Sequence, residues 1–130
     1  MKINLTLFTI FIFLISYTGC KDSTTGIDDK TIPSSNISYG EYIAPLFLTK
    51  CANSGCHDDA TKAGGISLTS WVGATDPNIV VKGDSKLSPL VWSIDRIAGV
   101  PPMPPVGYSA LTPNQIAGIK TWIDEGVQNN

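Results

Sequence analysis

Two thiols and an imidazole fall within seven consecutive positions, Cys51-Ala52-Asn53-Ser54-Gly55-Cys56-His57. Side chains of these types can do three kinds of chemistry. The thiols can close a disulfide, which an oxidising compartment preserves. Two thiolates and the imidazole can hold zinc if Asp58 or Asp59 supplies a fourth ligand. Or the thiols can be alkylated by a prosthetic group while the adjacent imidazole ligates its metal. His57 is the only histidine of the chain. A further candidate is Met103, the only methionine besides the initiator, set between Pro101-Pro102 and Pro104-Pro105. Proline stiffens a chain toward an extended conformation, and a stiff loop loses less entropy when a weak thioether ligand binds.

The order of the residues narrows the choice. Cys-x-x-Cys-His is the attachment pattern of c-type haem. Here four residues separate Cys51 from Cys56, and Ser54-Gly55 can absorb the added length as a turn. Two thioether bonds fix the porphyrin plane, so the neighbouring His57 reaches iron from one face. One histidine excludes a pair of imidazoles within the chain, which points to Met103 for the other face. His/Met ligation raises the reduction potential relative to two histidines.

These residues need elements to hold them. From Ser38, apolar residues recur at helical spacing (Tyr39, Tyr42, Ile43, Leu46, Phe47). Ser38 and Glu41 make a capping box. Pro45 either kinks this helix or starts it. Cys51, four residues past Phe47, extends the same apolar face. After Gly64-Gly65 come two short apolar runs, Ile66–Leu68 and Ile79–Val81; either could be one strand of a small hairpin, but neither supports a real sheet. Ser88-Pro89 reads as a helix start, followed by a stripe of Leu90, Val91, Ile94 and Ile97. Arg96, the only arginine, reads as a solvated helix position rather than a partner for a propionate. The last helix is capped by Thr112, Pro113 and Gln115. Ile116, Ile119, Ile123 and Val127 share a face with Trp122 beside them, and Gly126 is the stop. Trp71, Trp92 and Trp122 read as core or pocket walls. The expected fold is mostly α, three to four helices with long loops.

Length and composition set the outer limits. A chain of 130 residues holds one small domain. A net charge of −2 and a pI near 5.1 argue against nucleic-acid binding. Three of the four phenylalanines (Phe8, Phe11, Phe13) lie in an apolar stretch, Leu5 to Tyr17, behind Lys2. That stretch is shorter than the ~20 residues of a membrane span. With Cys20 directly after Thr18-Gly19, it resembles a bacterial lipoprotein signal peptide, although Tyr17 stands where leucine is usual. The resemblance implies removal of residues 1–19 and lipidation of Cys20. Residues 20–36, rich in Ser, Thr, Asp and Lys, read as a flexible tether. Residues 37–130 are the domain. The expected location is outside the cytoplasm, on a bacterial membrane, facing periplasm or cell surface.

The order of motifs in the domain resembles the small class I-type monohaem cytochromes c. These are Cys51…Cys56-His57, Gly64-Gly65-Ile66-Ser67-Leu68, Met103-Pro104-Pro105 and Trp122-Ile123-Asp124-Glu125-Gly126. The resemblance implies a cytochrome c-like α fold around one covalent haem c. Cys51 and Cys56 would be the thioether attachments, His57 and Met103 the axial ligands. It further implies single-electron transfer between a donor and an acceptor protein rather than enzymatic turnover. The competing expectation is a non-redox surface lipoprotein, a binding module braced by a Cys51–Cys56 disulfide. A haem-based gas sensor, with Met103 displaced by the gas, is a third.

Overall fold

The computed structural model describes residue 26 and residues 30–130. The leader and Cys20 lie outside the described residues. Four α-helices, α1 (Ala44–Lys50), α2 (Trp71–Ala74), α3 (Pro89–Ile94) and α4 (Pro113–Asp124), are joined by long loops. Among the described residues there is no strand, and no helix is long and apolar enough to cross a membrane. The fold is therefore mostly α, as the periodicities predict.

Pro45 produces neither a simple kink nor a simple start. The chain first winds as a wide π turn, Tyr39–Ile43, in which the Ala44 N–H donates to the Tyr39 carbonyl. Pro45 has no N–H to continue that register, and α1 follows in the tighter one. Ser38 Oγ accepts from the Glu41 N–H, which supplies one half of the expected capping box. Tyr39, Ile43, Leu46 and Phe47 are buried on one side. At its end, the Cys51 N–H donates to the Phe47 carbonyl, so α1 leads directly into the first thiol.

The longest helix, α4, is the wall against which this unit packs. Thr112 and Gln115 form the reciprocal capping box, with Pro113 opening the first turn. Ile119, Trp122 and Ile123 are fully buried. The Trp122 ring stacks on Tyr39 at 5.4 Å and meets the edge of Phe47 at 6.3 Å. Aromatic pairs at such separations add stability beyond the area they bury. The buried indole N–H donates to the Gln128 carbonyl, so it carries no unmet polar group. Trp71 and Trp92 are half-buried and donate to Val127 and Lys86 carbonyls. Trp122 sits within the core and Trp71 packs against it.

The two short apolar runs form no hairpin. Runs of three residues offer too few ladder bonds to hold a pair, and their backbones go to turns instead. Leu68 N–H donates to the His57 carbonyl, Ile79 and Val80 N–H to Asp76, and Val81 N–H to Ser88 Oγ. Their side chains still serve the core, since Leu68, Ile79 and Val80 are buried. Ser88 flanks α3 as expected, but its hydroxyl faces back into this loop and makes no cap bond.

The expected tether over 20–36 is cut short by an ordered strap. Ile32 is buried, and its N–H and carbonyl bond the Asn114 side chain at the start of α4. The Asn36 and Ile37 N–H groups donate to the Glu125 carboxylate at the other end of α4. Composition misses this because one buried isoleucine and four side-chain hydrogen bonds suffice to dock so short a segment. Gly118 makes room for it: a Cβ there would lie 2.6 Å from Ile32 Cγ2. Gly118→Ala is therefore expected to lower stability by about 1–2 kcal/mol, overpacking outweighing the better helix propensity. Chemical denaturation with amide exchange at Ile32 checks this; unchanged stability and exchange would contradict it.

Candidate functional site

The polar residues singled out by type and spacing converge on one cavity of about 270 Å³. One side is the end of α1 and the loop after it, which bring Lys50, Cys51, Cys56 and His57. Another is α3, with Pro89, Leu90, Ser93 and Ile94. A third is the proline-rich loop, which brings Met103, Pro104 and Pro105. Apolar side chains from distant segments (Phe47, Ile66, Leu68, Ile79, Leu111) complete the lining. The site is thus an apolar cleft with thiols and an imidazole from one loop and a thioether from another.

His57 is oriented by the backbone. Its Nδ1 lies 3.4 Å from the Ile66 carbonyl oxygen. A carbonyl can only accept, so Nδ1 is the donor in this contact and Nε2 is the ring nitrogen left for another partner. That is the arrangement by which a metal-ligating histidine has its tautomer and ring plane set. The main chain is fixed too: His57 N–H donates to the Cys51 carbonyl at 3.2 Å, and His57 accepts from Leu68 N–H at 2.9 Å. The Gly64-Gly65-Ile66 segment thus has a definite task, supplying the Ile66 carbonyl.

Cys51 and Cys56 are both free thiols. Burial pushes the Cys51 thiol up to about 12, the charge of Cys56 adds to this, and Lys50 opposes it. Cys51 is therefore neutral at physiological pH, a soft apolar group in the cavity wall.

Met103 is held through its main chain. Its N–H donates to the Ser93 carbonyl of α3 at 3.0 Å, and the Met103–Pro104 peptide bond is cis. Met103 is half-buried and packs against the core. Across the opening, Lys50 Nζ donates to Ser109 Oγ at 2.8 Å, linking α1 to the far loop. Tyr108, largely exposed, stands on the same rim.

The loop that follows α1 is braced by two carboxylates. Asp58 accepts from the Thr61 and Gly55 N–H groups, and Asp59 from the Ser67 and Thr69 hydroxyls. These bonds hold both carboxyls below the ordinary value of 3.8, Asp58 chiefly through the Thr61 N–H and Asp59 chiefly through Ser67. A lowered folded-state pKa stabilises above the unfolded value and is lost as pH falls through the folded one. The loop is accordingly expected to stay braced above pH 4 and loosen below it. Amide exchange at Thr61 checks this; exchange protection that persists undiminished at pH 2 would contradict it.

Asp58 and Asp59 are thus committed to the loop. Among the described residues, no group of three or more His, Cys, Asp or Glu side chains is arranged to hold a metal ion. Sequence reasoning missed Lys50, Ser93 and Tyr108 as cavity residues. Only Lys50 carried a signal, as the cation directly before Cys51. Ser93 acts through its carbonyl, which no side-chain pattern reports. The three tryptophans do not line the cavity, and Arg96 is not a helical residue: it lies just beyond the α3 cap.

Comparison with protein-family models, curated proteins and solved structures finds no match to this chain. The functional reading rests on the site itself.

Proposed function

We propose that the domain is a monohaem c-type cytochrome that passes single electrons outside the cytoplasm. One observation carries the proposal. Cys51, Cys56, His57 and Met103 line the same apolar cavity, though Met103 is far from the others in sequence. The residues present fit the group. Two free thiols are available for thioether attachment, and one imidazole has Nε2 left open by the Nδ1 bond to Ile66. A thioether from a separate loop stands ready as the second ligand.

A haem c held there supplies a one-electron Fe(III)/Fe(II) couple. The chain does the rest. Cys51 and Cys56 would tether, His57 and Met103 would ligate, and the apolar lining (Phe47, Ile66, Leu68, Ile79, Leu90, Ile94, Leu111) keeps water out. Lower polarity and fixed ligands reduce the reorganisation that accompanies each change of charge. With His57 and Met103 both committed to holding the group, the arrangement would suit a carrier better than a catalyst. The partners are a donor and an acceptor protein. With Cys20 lipidated, the domain would be held at a membrane.

Voltammetry of the haem-loaded protein tests the reading. A reversible one-electron wave, with no catalytic current on adding hydrogen peroxide, is expected. A protein that binds no haem, or one that turns over peroxide at high rate, would overturn it.

A further inference from the structure

Arg96 occupies a backbone position that favours glycine. Helices α3 and α4 end in the same way. After α4, the Gly126 N–H donates to the Ile123 carbonyl and the Val127 N–H to the Trp122 carbonyl, at 2.9 and 3.0 Å. After α3, the Arg96 N–H donates to the Ser93 carbonyl and the Ile97 N–H to the Trp92 carbonyl, at 3.2 and 3.0 Å. This paired pattern needs a left-handed residue just past the cap, and glycine is its usual occupant. Gly126 meets that need at φ +90°, whereas Arg96 meets it at φ +56°. A side chain raises the energy of that conformation, so at α3 something other than helix termination favours arginine.

The side chain shows what. Arg96 Nη2 donates to the Pro104 carbonyl at 3.3 Å. The Met103 N–H, on the near side of the same dipeptide, donates to the Ser93 carbonyl at 3.0 Å. The end of α3 therefore grips Met103-Pro104 from both sides, with its last-turn carbonyl and with the guanidinium. Met103 lines the cavity between these two bonds. Because the grip is backbone to backbone on one side and guanidinium to carbonyl on the other, it sets the position of the thioether without touching it.

We propose that Arg96 is a positioning residue that holds the Met103 loop in its ligating place. This rests on the reading of the site as a His57/Met103 haem centre. Its effect is on the opening of the loop. Losing the guanidinium raises the population in which Met103 is off the metal, and exogenous imidazole captures that population.

The test compares wild type, Arg96→Gly, Arg96→Ala and Arg96→Lys as haem-loaded ferric proteins titrated with imidazole. The weak red band of methionine-ligated ferric haem gives the readout. Arg96→Gly removes the side chain and relieves the backbone; Arg96→Ala removes the side chain alone. Both are expected to bind imidazole about fivefold more tightly, the effect of one lost hydrogen bond. Arg96→Lys keeps a cationic donor and is expected nearer to wild type. The thermal midpoint of Arg96→Gly should be equal to or above wild type, which separates loop opening from loss of fold. Imidazole affinity within twofold of wild type in Arg96→Gly would overturn the proposal, as would tightening in Arg96→Ala alone, since strain would then be the cause. A wild-type protein with no haem refutes the site reading instead, before any variant is compared. The Met103 amide then still reads the grip, because its bond to Ser93 needs no haem. Faster exchange in Arg96→Gly supports the grip, and equal exchange overturns it.

Discussion

Haem-free protein is expected to lose its cooperative unfolding transition. The chain can be made haem-free as Cys51→Ser/Cys56→Ser, or as the unaltered sequence produced without haem attachment. The reason is the size of the cleft relative to the core around it. At ~24 cal/mol per Å³, a void of about 270 Å³ costs about 6 kcal/mol. The whole stability of a small domain is only about 5–15 kcal/mol. Part of that cost is met by water entering the open side, but wetting Phe47, Leu68, Ile79 and Ile94 sacrifices the burial that holds α1 and α3 to the rest. The α4 side should persist longest, because Trp122, Tyr39, Ile119 and Ile123 pack away from the cavity. The expected result is a broad thermal transition with dye-accessible apolar surface and retained helical signal. A sharp two-state transition in both haem-free forms would show that the cleft is tolerated empty.

The second large effect is at Met103. On the proposed reading, Met103→Ala would keep covalent attachment and His57 ligation but remove the Met103 thioether. The red band of ferric methionine ligation is expected to vanish. The reduction potential is expected to fall by on the order of 0.1 V, a fraction of the ~0.8 V that axial ligands can span. Carbon monoxide is expected to bind the reduced variant and not the reduced wild-type protein. Stability should drop by about 2–3 kcal/mol, as for truncating a half-buried methionine. An unchanged band and potential would remove Met103 from the ligand set.

The site was more legible than the fold around it. Residue type and uniqueness were enough to single out Cys51, Cys56, His57 and Met103, and the structure brings all four to one cavity. Helix α4 was readable to the residue, because Thr112, Pro113, Gln115 and Gly126 are side-chain signals for its two ends. Three things were not readable. The π turn before Pro45 depends on a choice of register, and both registers present Tyr39 and Ile43 to the core. The strap at Ile32 depends on a vacancy above Gly118 that no local pattern announces. The bonds that orient the site come from the backbone carbonyls of Ile66 and Ser93, and a sequence reports side chains only. The Ile79–Val81 run misled for a related reason. Apolar content marked it correctly for burial, but pairing needs a partner of sufficient length, and none exists here.

The same distinction explains Arg96. As a letter within the Leu90–Ile97 stripe it reads as a solvated helix position, and it is exposed, though not helical. Its left-handed backbone and its bond to Pro104 appear only when α3 is seen to end at Ile94, two residues earlier.

The central claim is that Cys51 and Cys56 carry a covalent haem. Its most direct test is the intact mass of the mature protein under denaturing, non-reducing conditions, after production in a host with haem-attachment machinery. The account predicts the polypeptide plus one haem, lost in Cys51→Ser/Cys56→Ser. A polypeptide lighter by two hydrogens, colourless and closed by a Cys51–Cys56 disulfide, would contradict it.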